Sequence, residues 1–384
     1  MGTTIGVVGA GQFAPSFFPL FRHHPGVERV YVTDLEPARA DAALASFGLD
    51  GAFSSFDEML ESDCACIAIF TQRWTHGPLA LRALEAGKHV YSTVPMGTSY
   101  EELSAIIDAV RRSGLVYMMG ETSYYYPAAV YGRQRNRSGD FGRIFYAEGD
   151  YVHDMDLGFY DAYRYSGGER WKQTASFPPM MYPTHAIGGV LSVIDEHAVS
   201  VSCLGVTDER GDGVFDRHVS MFDNDFSNAT ALFELSRGSV MRTNEMRRVG
   251  YPSHIRESRY RYFGTEATFE QLVATSVWQD KKGWTDVSEL LAPRGAPSGT
   301  AHNGFAPVHD SSRLPASYQG LPTGHEGSHH FLADDFVRAV TEGGLPPVNA
   351  WVAARFTLPG IIAHKSAMQG GTRLPVPDLG APPA

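Results

Sequence analysis

At 384 residues the chain exceeds what one hydrophobic core usually supports, and with 43% hydrophobic and 12% aromatic residues it is expected to fold as two globular domains. Its net charge of −11 excludes the basic face that a nucleic-acid or anionic-membrane partner would need. No apolar run is long enough to span a bilayer and no secretion signal opens the chain. Three cysteines, Cys64, Cys66 and Cys203, make neither a disulfide framework nor a zinc spacing; buried thiols in a cytoplasmic protein are expected.

Strands and helices alternate from the N-terminus. Thr4 to Val8 is an apolar run, followed by a Gly-rich turn and a helix from about Pro15. Val27 to Thr33 reads as a strand, and Glu36-Pro37 opens a helix with proline in the first turn, where its missing N–H is harmless. Cys64 to Phe70 is a continuous apolar strand, Leu79 to Ala86 a helix that stops at Gly87, and Val90 to Ser92 a strand again. Ser99 and Glu102 form a capping box before Leu103, Ile106, Ile107 and Val110, which recur at helical period as far as Gly114; Val116 to Met119 is the next strand. Repeated βα units imply an α/β fold with a doubly wound parallel sheet over residues 1–123. Residues 124–384 read differently, as longer strands: Ile144 to Val152, Val199 to Val206, Ala229 to Leu235, Ser239 to Met246 and Ile255 to Phe263. They predict a second α+β domain with an open, largely antiparallel sheet, a Pro- and Gly-rich loop or flap over 292–325, and a last helix at about 328–342.

The chemistry begins at Gly9-Ala10-Gly11-Gln12-Phe13-Ala14, a G-x-G-x-x-A at a strand-to-helix turn. Gly9 permits the turn, Gly11 lets backbone approach a pyrophosphate, and Ala14 allows close packing of a helix whose amides face the phosphates. Asp34 ends the second strand, 23 residues beyond Gly11 (34 − 11), where a carboxylate binds ribose hydroxyls and repels a 2′-phosphate. NAD, rather than NADP, is the expected cofactor of this Rossmann domain.

The chain resembles the glucose–fructose oxidoreductase/inositol dehydrogenase (Gfo/Idh/MocA) family. Asp63 to Phe70 with Thr71, Trp74 and His76, then Leu84 to Val90, and Asp335-Phe336-Val337 through Gly343 and Pro347 carry the resemblance. It implies that Gln12, Phe13, Thr71, Trp74, His76, Thr93, Pro95 and Glu121 join Gly9, Gly11, Ala14 and Asp34 around the cofactor. Most members have Glu-Lys-Pro where this chain has Thr93-Val94-Pro95, and many have an aspartate where Met181 stands, four residues before His185. Val94-Pro95 together with Tyr182-Pro183-Thr184-His185 looks like the NAD-dependent glycosidase branch, typified by α-N-acetylgalactosaminidases, and Gly324-His325-Glu326-Gly327 resembles a segment found there. That branch implies a redox-neutral route: oxidation of a ring hydroxyl, elimination of the aglycone beside the new ketone, addition of water, and return of the hydride. Two flanking carboxylates, as in ordinary glycosidases, are then not required, but a base for the carbon acid is, and Tyr or His can serve.

His185 is the expected acid/base, with Tyr182, His153 and Tyr125 as further catalytic candidates. Tyr125 lies in a run, Tyr124 to Tyr126, suited to sugar stacking. Trp171, Lys172, Asp154 and His325 are candidates for substrate binding. Adjacent His329 and His330 on a helix do not face one another, so no metal is expected. The alternative activities are an NAD-dependent sugar dehydrogenase or ketoreductase with net hydride transfer, and a ligand sensor that has kept NAD binding. A homo-oligomer built through the second domain's sheet is also expected.

Overall fold

The computed structural model describes residues 2–250, 257–295 and 304–383. The chain forms two compact units. In the first, a six-stranded parallel sheet runs in the order β3-β2-β1-β4-β5-β6, formed by Gly51–Ala52, Val27–Thr33, Thr3–Val8, Cys66–Ile69, His89–Ser92 and Tyr117–Met119. Every residue of β1 and β4 is buried, as continuous apolar strands demand when helices cover both faces. The helix Tyr100–Ser113 starts where the Ser99 hydroxyl accepts from the Glu102 amide, and it stops at Gly114, whose φ of 69° an L side chain resists. Strand order reverses between β1 and β4, so the switch point where such sheets bind ligands lies at the Gly-rich turn after β1.

A split at residues 123 and 124 is not how the rest of the chain divides. Asp310–Ala354 and Leu379–Ala384 belong with the first unit. The helix Ser328–Glu342 buries Phe331, Phe336 and Val337, with the Phe336 ring 5.6 Å from that of Tyr91. Val348 accepts a hydrogen bond from the Met119 amide beside β6. These partners lie over 200 residues apart in sequence, which is why local periodicity did not join them.

The second unit, Ser123–His309 with Arg355–Asp378, holds a nine-stranded sheet. Its strands are Ile144–Val152 (β7), Ala198–Thr207 (β8), Phe226–Leu235 (β9), Val240–Met246 (β10), Ser258–Gly264 (β11), Ala267–Gln271 (β12), Ser276–Asp280 (β13), Gly283–Asp286 (β14) and Leu374–Pro375 (β15). The order is β14-β13-β12-β11-β7-β10-β9-β8-β15, with β7 and β10 parallel and all other pairs antiparallel. The expected strands are present, although Ile255 lies outside the described residues. Strands β12 to β14 and the helix Ala350–Met368, which follows the helix taken as the last, were not read from the sequence. Of the expected 292–325 flap, residues 296–303 are not described. The part after Asp310 is short 3-10 turns, tied down where Arg313 donates to Asp334 at 2.8 Å.

One face of this sheet carries the helix Thr184–Leu191, buried at every position. Glycines make the approach possible: a Cβ at Gly149 of β7 would sit 2.3 Å from the Ala186 carbonyl oxygen, and one at Gly189 would strike the Tyr260 ring. Tyr260 and Tyr262 of β11 then donate to the carbonyls of His185 and Gly189, both at 2.9 Å. Among the described residues no helix is long and apolar enough to cross a membrane.

Candidate active site

In the first unit the turn after β1 is shaped by its own backbone. Gly9 has φ of 92°, and a Cβ there would lie 2.7 Å from the Phe70 carbonyl oxygen, so only glycine fits. A Cβ at Gly11 would meet nothing within 4 Å, and Gln12 is exposed at the tip. Asp34 accepts from the Ala10 amide at 2.7 Å and from the Glu36 amide at 2.8 Å, and the Arg39 guanidinium stands 4.0 Å away. The carboxylate therefore holds the turn's shape and still has lone pairs for hydroxyl donors. The helix expected from Pro15 is interrupted: Ala14–Ser16 forms a single 3-10 turn before the six-residue helix Phe18–His23. Pro15 and Pro19 each sit in the first turn of their helix, where the missing N–H costs no bond.

Neighbouring loops brace this turn. The His76 ring is buried, with Nδ1 2.9 Å from the Pro95 carbonyl oxygen and Nε2 3.1 Å from that of Thr71 and 3.2 Å from the Thr93 hydroxyl. Burial pushes its pKa down, so the ring works as a neutral hydrogen-bonding post between the loops after β4 and β5. The Val94–Pro95 bond is cis, and Val94 is buried. Thr71 also pairs with the Thr75 hydroxyl at 2.6 Å, in the turn that carries half-buried Trp74. Glu121 is fully buried after β6; burial and then the Glu121 charge push the Tyr91 phenol up.

In the second unit a cluster of aromatic and titratable side chains gathers where β7 meets the Thr184–Leu191 helix. His185 Nε2 lies 3.3 Å from the Tyr182 hydroxyl, and its ring centroid is 4.7 Å from that of Tyr151. Burial, reinforced by Glu257 and Tyr182, raises the Tyr151 pKa well above the ordinary phenol value, so Tyr151 stays protonated. Arg247 lies over the Tyr151 ring at 4.7 Å and donates to Glu245 at 2.8 Å. His153 stacks on Phe159 at 3.9 Å, and its Nε2 is 3.2 Å from Glu257. Burial and then the Arg247 charge lower its pKa to about 4, so it is neutral at pH 7.

Residues 3–121 match the model of a family described as "Oxidoreductase family, NAD-binding Rossmann fold". The matched stretch carries the whole six-stranded parallel sheet and the Gly-rich turn after β1. A 196-residue stretch is 29% identical to a glycosyl hydrolase family 109 protein of Shewanella woodyi, covering 48% of this chain and 42% of the relative. Over the same length it is 28% identical to an alpha-N-acetylgalactosaminidase of Shewanella oneidensis, covering 48% and 43%. The matched stretch is less than half of those curated relatives. A solved levoglucosan dehydrogenase, in complex with NADH and levoglucosan, superposes with a TM-score of 0.74 over 98% of this chain and all of its own, at 19% identity. That likeness establishes the fold.

The structure redistributes several expected site residues. His325 lies in the first unit, where its ring meets that of Phe13 edge-on at 5.6 Å, so it belongs to the surroundings of the NAD-binding turn. Asp154 is committed to the main chain, accepting from Asp156 at 2.8 Å and Val249 at 2.7 Å, and so acts as a cap. Trp171 and Lys172 sit on the short helix Trp171–Ala175; Lys172 is exposed and its ammonium donates to the Asp212 carbonyl at 2.7 Å. Tyr125 is buried in the second unit, 5.0 Å from Tyr124, with Arg133 stacked on Tyr124 at 4.0 Å. Tyr151, Arg247 and Glu257 were missed. Tyr151 could have been found by parity, since Ala147, Gly149 and Tyr151 share one face of β7; nothing local points to Arg247 or Glu257.

Proposed function

We propose that the protein cleaves glycosides by a redox-neutral route, with NAD held by the first unit and the Tyr182–His185 pair handling protons. The observation that carries this reading is His185 Nε2 at 3.3 Å from the Tyr182 hydroxyl, on a chain whose family-lysine and family-aspartate positions are the buried, apolar Val94 and Met181. The names printed for the partial relatives support the same class of activity.

The Gly9–Ala14 turn and Asp34 would hold the pyrophosphate and the adenosine ribose. When bound, NAD takes up a hydride from a hydroxyl-bearing ring carbon and can later return it. His185 receives the proton of that hydroxyl and passes it on through Tyr182. Beside the resulting carbonyl the neighbouring C–H becomes acidic. A base takes that proton, the electron pair forms the C=C bond, and the aglycone departs with the C–O bonding electrons. Water then adds at the anomeric carbon. Tyr151, held protonated, is an unsuitable base and serves as a wall and hydroxyl donor, which leaves Tyr182 and His185 as the bases. His153, neutral and ordered by Glu257 and Phe159, lines the same cluster.

A nitrophenyl glycoside panel assayed with NAD in D₂O tests this. Release of nitrophenol, deuterium on the carbon next to the anomeric centre and no net absorbance at 340 nm are expected. Net NADH with an intact glycosidic bond would favour the alternative, a sugar dehydrogenase, a reading to which the full-length likeness to levoglucosan dehydrogenase lends weight. The buried free thiols fit action in the cytoplasm. Self-association through the sheet's outer face, where Leu204, Val206 and Leu232 are exposed on adjacent β8 and β9, completes the proposal. Light scattering of Leu232→Lys should then report a smaller species than the parent protein.

A further inference from the structure

His329 is 1% exposed, and among the described residues neither ring nitrogen has a hydrogen-bond partner. Its ring is 4.7 Å from Phe17, 5.2 Å from Phe13 and 4.8 Å from His325, so an imidazole is boxed in by the side chains of the NAD-binding turn. A Cβ at Gly324 would fall 2.4 Å from its Nδ1 and 2.5 Å from its Cε1, so that edge of the ring abuts the backbone at Gly324. That backbone is unusual. Gly324, His325, Glu326 and Gly327 have φ of 38°, 42°, 56° and 91°, and two of the four are not glycine. A left-handed run with side chains persists only while its surroundings over-determine it.

We propose that His329 is a positioning residue of the NAD-binding turn: its uncharged ring, wedged between Phe13, Phe17 and His325, keeps the 324–327 segment closed on Phe13, and a proton on it releases the segment. The inference rests on NAD binding alone and is independent of which bond the enzyme cleaves. In the closed form no group among the described residues is placed to accept a hydrogen bond from an imidazolium, and burial with the neighbouring His325 and His330 opposes protonation. The elements packed on the ring present Phe13 and Phe17, which are uncharged. Other titratable groups nearby are Glu326 in the same turn, His330 on the same helix and, farther along that helix, Asp334 and Asp335, which pair with Arg313 while Asp334 also meets His24.

The sign follows directly. An open form with His329 in water titrates near 6.5, whereas the closed form stays neutral well below that, so opening is favoured as pH falls beneath 6.5. Between pH 7.5 and 5.5 the opening constant should rise about tenfold from this residue alone. Closure on Phe13 and NAD binding at the same turn are linked, so NAD should suppress the opening.

Native-state hydrogen exchange of amides 325–333 tests this on the whole chain, with and without saturating NAD. After correction for intrinsic exchange, the unmutated protein should open about tenfold more at pH 5.5 than His329→Phe does, relative to each at pH 7.5, and NAD should protect both. An identical pH profile in His329→Phe would overturn the role of the proton. Should that variant fail to fold, the unmutated protein decides: opening that does not rise on acidification, or that ignores NAD, overturns the proposal.

Discussion

The NAD-binding turn and the Tyr182–His185 cluster are built in opposite ways. In the turn the groups that meet a ligand are main-chain amides, and side chains such as Asp34 and His76 serve to hold that main chain. In the cluster the groups proposed to react are side chains, and main-chain geometry brings them together: Gly149 and Gly189 clear the space, and tyrosine hydroxyls pin the helix carbonyls. The first kind of site tolerates changes of side chain so long as the backbone keeps its course. The second, on the proposed mechanism, would lose its chemistry with one imidazole.

The sharpest test removes that imidazole. His185→Ala should lose about 10²-fold or more in turnover while NAD affinity, measured by calorimetry, stays unchanged. Next comes the clearance. Gly149→Ala forces a methyl against the Ala186 carbonyl and should cost about 1–3 kcal/mol in denaturant unfolding, with a fall in kcat from a displaced His185. Asp34→Ala breaks the comparison from the other side, leaving the Ala10 and Glu36 amides without their acceptor. It should weaken NAD about tenfold or more and narrow the gap to NADP, since Arg39 remains beside the ribose position. The smallest effect is expected from Lys172→Ala, whose ammonium is exposed and bonded to a loop carbonyl. Stability should move by less than about 0.5 kcal/mol and KM should hold; a large rise in KM would restore Lys172 to the substrate site.

The same contrast explains what the sequence made legible. Gly9, Gly11, Ala14 and Asp34 fall within one βαβ unit, so spacing alone located the cofactor turn. The capping box at Ser99 and the period-2 strands β7 to β10 were equally local signals. His325 was read as a substrate-binding candidate, and the glycines around it mark a turn but not that it lies in the first unit beside Phe13. Asp154 and Lys172 were read by residue type, and both are engaged by groups distant in sequence, the Val249 amide and the Asp212 carbonyl. Arg247 and Glu257 reach Tyr151 and His153 only through strand pairing of β7 with β10 and β11, a register that no single segment encodes.

The return of Asp310–Ala354 to the first unit bears on how the protein is made. On a ribosome the six parallel strands emerge early, but Phe336 and Val337, which pack on Tyr91 and beside Gly26, are still to come. At roughly 5–20 residues per second the nascent domain waits on the order of 10–40 s for the helix that seals it. During that interval an apolar flank stays wet, and the second unit waits longer still, for the buried Phe356, Leu358 and Ile361 of its own Arg355–Asp378 segment. Vectorial synthesis thus leaves each core open until a segment beyond Asp310 has emerged to close it.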